Sequence, residues 1–102
     1  MRAKEVIVLR EVADDLNDGK AFYDSREVGV GDYFWDSLVA DIESLILFGG
    51  IHRTEYGFSR KLASRFPYAI YYDLVGDRVR VVAVLPMRRS PLWILEKLRG
   101  RG

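Results

Sequence analysis

The stretch Tyr68-Ala69-Ile70-Tyr71-Tyr72-Asp73-Leu74-Val75, Gly76-Asp77, Arg78-Val79-Arg80-Val81-Val82-Ala83-Val84-Leu85 decides the fold. Both long runs are rich in aromatic and β-branched residues, which suit the pleated surface of a sheet. Two residues separate them, and a leading glycine favours a type II′ turn, whose twist matches that of paired strands. The segment predicts a β-hairpin. Upstream, Phe58 to Ala63 is a weaker strand candidate, and Val6-Ile7-Val8-Leu9, with charge on both sides, reads as a buried strand.

Between these strands the period changes to that of helices. Glu11 to about Glu27 places Val12, Ala13, Leu16 and Tyr23 on one stripe, although Gly19 weakens that helix by about 1 kcal/mol relative to alanine. Gly29-Val30-Gly31 reads as a turn, with Asp32 as the N-cap of a second helix. In that helix Phe34, Trp35, Leu38, Ile42, Leu45 and Ile46 recur at three- and four-residue spacing, and Gly49-Gly50 ends it. Ser90-Pro91 predicts an N-cap and first-turn proline for a short last helix. Its apolar face is expected to carry Leu92, Leu95 and Leu98, with Gly100 closing it. The expected class is α+β: β-α-α-β-β-β-α, a helical hairpin on a mainly antiparallel sheet, with a short C-terminal helix. The chain of 102 residues is read as one domain spanning 1–102.

Composition narrows the chemistry. No cysteine and one histidine, His52, leave no thiolate nucleophile, no disulfide framework and no metal site, so no cofactor is expected. No apolar run approaches the ~20 residues that span a bilayer, and the first residues lack a signal peptide's apolar region. No membrane partner is expected, and the expected compartment is the cytoplasm. The net charge of +1 conceals an acidic first half and a basic second half. Residues 1–51 carry five Lys/Arg against eleven Asp/Glu; residues 52–102 carry eleven against four. That asymmetry points to an anionic partner for the basic half, or to attraction between the halves.

Phosphate-cradling glycine loops, nucleophile elbows and zinc-protease motifs are absent. Asp14, Asp15, Asp18, Asp36, Asp41 and Glu43 read as a solvated helix face, and His52 is assigned no role. The basic residues carry more information. Arg60, Lys61 and Arg65 surround the first strand of the basic half, and Arg88-Arg89 follow its last strand immediately. Strand exits present side chains from a rigid scaffold, and arginine's planar fork recognises phosphate or carboxylate. Tyr56, Tyr68 and Trp93 offer stacking surfaces, whereas Tyr71 and Tyr72 read as residues packed across the sheet.

Arg65-Phe66-Pro67-Tyr68-Ala69-Ile70-Tyr71-Tyr72, the hairpin after it, and Arg88-Arg89-Ser90-Pro91 together resemble the RelE/ParE toxin superfamily. The similarity extends upstream through Phe22-Tyr23 and the Gly-x-Gly turn, and covers about residues 6–99. It implies a curved antiparallel sheet under a helical hairpin. It also implies a bacterial toxin of the plasmid-stabilisation type, held silent by a cognate antitoxin through which any oligomer would form. An extended or helical antitoxin segment is expected to bring carboxylates to Arg60, Arg65, Arg88 or Arg89. ParE-like members poison DNA gyrase; RelE-like members are endoribonucleases that cut mRNA on the ribosome.

Two departures favour the ParE-like branch. Trp93 aligns with a tyrosine common in the nuclease branch, and an indole cannot exchange a proton in that role. Leu85-Pro86-Met87 occupies a strand exit where that branch often places glycine and basic residues. Arg60 and Lys61 nevertheless lie near that branch's strand lysines, and Arg88 could replace a shifted arginine. The expected target- or antitoxin-binding residues are Arg60, Lys61, Arg65, Tyr68, Arg88, Arg89 and Trp93, with no catalytic residue assigned. A ParE-like gyrase inhibitor would not be an enzyme; the alternatives are the ribonuclease and a decayed, non-toxic binding module of the same fold.

Overall fold

A computed structural model of the chain describes residues 3–101; Met1, Arg2 and Gly102, counted in the charge balance above, lie outside them. The elements are β1 (Glu5–Val8), α1 (Glu11–Arg26), α2 (Val30–Glu43), α3 (Leu45–Phe48), β2 (Thr54–Glu55), β3 (Phe58–Leu62), β4 (Tyr68–Val75), β5 (Arg78–Pro86) and α4 (Pro91–Leu98). The strands form one sheet in the order β1-β5-β4-β3-β2. β1 runs parallel to β5 and every other pairing is antiparallel.

The central hairpin forms as its turn chemistry dictates. Val75 pairs with Arg78, leaving Gly76 and Asp77 as the loop. Gly76 has φ +63 and Asp77 has no positive φ, the pattern of a type II′ turn. The register slips between Tyr71 and Tyr72, where Val82 is the extra residue of a bulge. Such a bulge bends its strand and increases the twist. It also redirects the side chains of β5: Val79, Val81 and Val84 join the core beneath α1 and α2, whereas Val82, Ala83 and Leu85 join a second core beneath α4. Each face of the sheet is therefore covered by helix.

Gly19 earns its place in α1 by packing. A Cβ there would lie 2.4 Å from Phe34 Cζ, so the missing side chain lets α2 seat its phenylalanine against the α1 backbone. Phe34, Tyr23, Phe66 and Tyr68 form an aromatic cluster around that contact, with ring centroids 4.8–5.3 Å apart for the pairs Phe34 makes.

Several expectations are corrected. Gly29, with φ +93, precedes α2 in place of Asp32, which lies in the first turn. The long second helix breaks at Ser44, whose hydroxyl donates to the Asp41 carbonyl at 2.6 Å, and its last turn is the separate α3, ending at Phe48. The short β2 was not anticipated; Tyr56 and Gly57 join it to β3 with both φ positive, a type I′ loop. Along α4 the buried face is Ile94 and Leu98, while Leu92 and Leu95 are exposed at 67% and 43%. The acidic residues are not all solvated. Asp15 and Asp41 are buried, Asp41 accepting from the Ser64 backbone N–H and hydroxyl at 2.9 Å each. His52 holds a loop: the Tyr72 hydroxyl accepts from the Gly50 N–H at 2.9 Å and shares a hydrogen bond with His52 Nδ1.

Candidate functional site

The chain leaves β5 at Pro86 and enters α4 at Pro91, so four residues make the turn. Both ends of that turn are fixed. Met87 donates its N–H to the Pro67 carbonyl at 2.9 Å, and the Ser90 hydroxyl caps α4 by accepting from the Trp93 N–H at 3.2 Å. Arg88 and Arg89 lie between those anchors. The Arg88 guanidinium sits 4.6 Å from the Phe22 ring centroid, and Arg26 reaches the same ring at 4.8 Å. Arg89 sits 4.8 Å from the Trp93 ring, with Lys97 at 5.4 Å. Each arginine is thus held by an aromatic ring, an attraction worth about 0.5–1 kcal/mol at an exposed site. No carboxylate is ion-paired to either among the described residues; Glu96, a plausible partner, instead pairs with Arg99 at 3.5 Å.

These side chains surround a cleft of roughly 230 Å³. Asp15, Asp18 and Phe22 supply the α1 wall, Trp93 and Lys97 the α4 wall, and Tyr68 with the end of β5 the floor. Four of the seven expected residues meet there: Tyr68, Arg88, Arg89 and Trp93. Tyr68 is only 6% exposed and packs among Tyr23 and Phe34, so it offers the cleft an edge and no free stacking face. Burial raises its phenol pKa, the neighbouring Tyr23 adds to that, and Arg88 opposes it.

Arg60 and Lys61 stand elsewhere, on β3, and line a separate cavity with His52 and Arg53. Arg60 is paired in register with Tyr71, and Lys61 with Ile70, so the two side chains leave opposite faces of the strand. Arg65, in the loop before β4, donates to the Tyr33 hydroxyl at 3.0 Å and lines neither cavity.

Composition and spacing gave no sign of what holds the α4 wall in position. Arg101 reaches back across the sheet and donates to both Asp15 oxygens, at 2.6 and 3.0 Å, and to the Val82 carbonyl at 3.3 Å. The Val84 N–H donates to the same carboxylate at 3.0 Å. Burial pushes the Asp15 pKa up, and its donors from Arg101 and Val84 pull against that; Arg101 in turn is held above its ordinary value by Asp15. The pair ties α1, β5 and the end of α4 together. Lys97 and Phe22 also escaped sequence reasoning as site residues. Lys97 lies one helical turn beyond Trp93, a spacing that would have found it.

The cleft gathers two arginines and a lysine against two carboxylates, Asp15 and Asp18. Burial raises the phenol of Tyr68, and Asp15 is engaged by Arg101, leaving Asp18 as the one cleft carboxylate without an ion pair among the described residues. His52 lies in the other cavity. No cluster of potential metal ligands occurs among the described residues, and none of their helices is long and apolar enough to cross a membrane.

No family model matches the chain, and no curated protein matches it. A solved structure does: one described as the chromosomal ParDE toxin–antitoxin system from P. aeruginosa, with a TM-score of 0.74 and 15% identity, covering 82% of this chain and 96% of that one. At this identity the likeness is one of fold, and it coincides with the arrangement expected from the Arg65–Tyr72 segment and the hairpin. The chain has the RelE/ParE-like α+β fold.

Proposed function

We propose that this protein is the toxin of a type II toxin–antitoxin pair, ParE-like in action, which stops growth by inhibiting DNA gyrase and is silenced by a cognate antitoxin. The observation that carries this reading is the Arg88–Arg89 turn. Two arginines, each seated on an aromatic ring and ion-paired with no carboxylate among the described residues, project from a strand exit into a cleft. Like charges so placed contribute little to stability, and an anionic protein surface gives them their purpose. Inhibition by binding needs no proton donor or acceptor. That suits a cleft with an indole at Trp93 and no histidine, which is poorly equipped for attack by a 2′-hydroxyl on RNA. The match to a ParDE system supports the pairing with an antitoxin.

The test has two parts. Expressed alone, the protein should arrest growth and trigger a DNA-damage response, and purified it should inhibit gyrase supercoiling; co-expression of the neighbouring small reading frame should relieve the arrest and co-purify with it. Cleavage of ribosome-bound mRNA with supercoiling intact would replace this reading by the ribonuclease. Harmless expression of folded protein would replace it by the inert module.

A further inference from the structure

The Val6–Leu9 run is apolar on both sides of the strand, as befits a strand covered on both faces, yet the sheet leaves it at an edge. β1 has one neighbour, β5, and Ile7 and Val8 are 37% and 45% exposed. The Leu9 N–H donates to the Val81 carbonyl at 3.0 Å, so by strand alternation Glu5 and Ile7 also turn their backbone groups toward β5. Val6 and Val8 turn theirs to the open side. Natural sheet edges are blunted by lysine, proline or a bulge. Val6-Ile7-Val8 contains neither lysine nor proline, and its register with β5 is unbroken.

The side chains of Val6 and Val8 face the helical hairpin, where they line a groove of about 460 Å³ with Leu16, Val39, Ile42 and Ile46. The groove's charged residues are Lys4, Glu5 and Glu43. Glu5 is paired with Arg78 at 2.8 Å. Lys4, Glu43 and, at the far end of the strand, Arg10 have no ion pair among the described residues. The Ala3 N–H donates to the Ile46 carbonyl at 2.8 Å, which sets the start of β1, and Lys4 with it, at the end of the hairpin that carries Glu43.

We propose that the open edge of β1 pairs antiparallel with the same edge of a second copy of this chain, about a two-fold axis through Ile7. The segment is a palindrome, Val-Ile-Val, so this register sets Val6 opposite the second copy's Val8 and Ile7 opposite Ile7. Val6 and Val8 are the residues with free backbone groups, and each Val6–Val8 pair exchanges both N–H···O bonds. The valines of the two copies then meet over the groove, while the isoleucines form the closer, non-hydrogen-bonded pair on the opposite face. The same axis brings the second copy's Arg10 to the end of the strand where Lys4 and Glu43 stand, and Glu43 is the carboxylate that holds the two cations there. A foreign strand would meet the backbone as well, but only a second copy returns both the palindrome and the charges at each end. The contact is small beside the ~1,200–2,000 Å² that stable complexes bury, so the dimer is weak, with a Kd of about 10–100 μM. This pairing does not rest on the toxin reading, because the groove and the cleft share no lining residue.

Sedimentation velocity on the full chain, from about 1 μM to about 1 mM, tests this. The average mass should climb from the 11.8 kDa of one chain toward twice that value across the range. Hydrogen exchange followed by NMR should show the Val6 and Val8 amides slowed only at the dimeric concentrations. Ile7→Lys sets two ammonium groups face to face on the axis and should move the Kd beyond about 1 mM; Ile7 is partly exposed, and circular dichroism checks that the fold is kept. Val8→Pro removes an N–H that β5 does not use and should weaken association by about tenfold or more. Glu43→Lys acts twice by symmetry and should weaken it by about tenfold. Arg88→Ala with Arg89→Ala should leave the Kd within about twofold. A chain that stays monomeric at about 1 mM overturns the proposal and leaves the edge to an extended segment of another protein. Association that survives Ile7→Lys, or that the Arg88/Arg89 variant abolishes, also overturns it, since the contact would then lie elsewhere.

Discussion

Gly19→Ala sets helix propensity against packing, and the structure decides between them. In isolation the change should stabilise α1 by about 1 kcal/mol, because alanine is the better helix former. The new Cβ, however, would lie 2.4 Å from Phe34 Cζ and 2.5 Å from Cε2. Phe34 has no exposure, and Tyr23, Phe66 and Tyr68 surround its ring, so the ring cannot swing aside. Relief requires α2 to shift from α1, and overpacking of this kind costs up to about 3 kcal/mol. The net effect is a destabilisation of about 2 kcal/mol, or a fall in Tm of roughly 10 °C for a domain of this size. Thermal unfolding followed by circular dichroism measures it. A companion variant isolates the cause: with Phe34→Leu also present, the ring is gone and the two changes should couple favourably by about 1 kcal/mol. A Gly19→Ala protein with an unchanged or raised Tm would refute the reasoning, because propensity alone would then describe the site.

Arg88→Ala with Arg89→Ala should lower Tm by no more than about 10 °C, the roughly 1–2 kcal/mol of the two ring contacts, while abolishing growth arrest; a larger loss of stability in a protein that still arrests growth would make the pair structural. Arg101→Ala leaves the Asp15 carboxylate buried without its bidentate partner and should cost about 3 kcal/mol, whereas Asp15→Asn keeps an acceptor for the Val84 N–H and should cost about half that; equal losses in chemical denaturation would contradict the latch. His52 binds its proton more weakly in the folded protein than its ordinary 6.5, because burial, and then Lys61, oppose the charged form. Unfolding therefore takes up a proton between the folded pKa and 6.5, and acidification through that window should lower stability. His52→Asn should remove this component, which a comparison of Tm against pH in the two proteins would detect.

What the residues disclosed, and what they withheld, follows from the range of the interactions. The hairpin was legible because Gly76-Asp77 and the runs beside it carry their instructions locally. Ser90-Pro91 capped α4 for the same reason. The buried face of α4 was misread because Leu92, Trp93, Ile94, Leu95 and Leu98 make it apolar nearly all round, and only docking on Val82, Ala83 and Leu85 selects Ile94 and Leu98. Asp15 and Asp41 look like their solvated neighbours, since their partners stand 86 and 23 residues away. Arg88 and Arg89 could be singled out from a strand exit alone. That Arg60 and Lys61 belong to a different cavity could not, because it depends on where the sheet places its far edge.

The parallel pairing of β1 with β5 also sets a clock. Val8 finds its sheet neighbour in Val81, with no earlier strand available to it. At ribosomal rates of about 5–20 residues per second, roughly 4–15 s separate the synthesis of those two residues. Through that interval the acidic half waits, Asp15 has no Arg101, and the α1 wall faces no α4. A nascent chain therefore has no cleft to offer, and the cleft comes into being only when the last strand and the last helix dock.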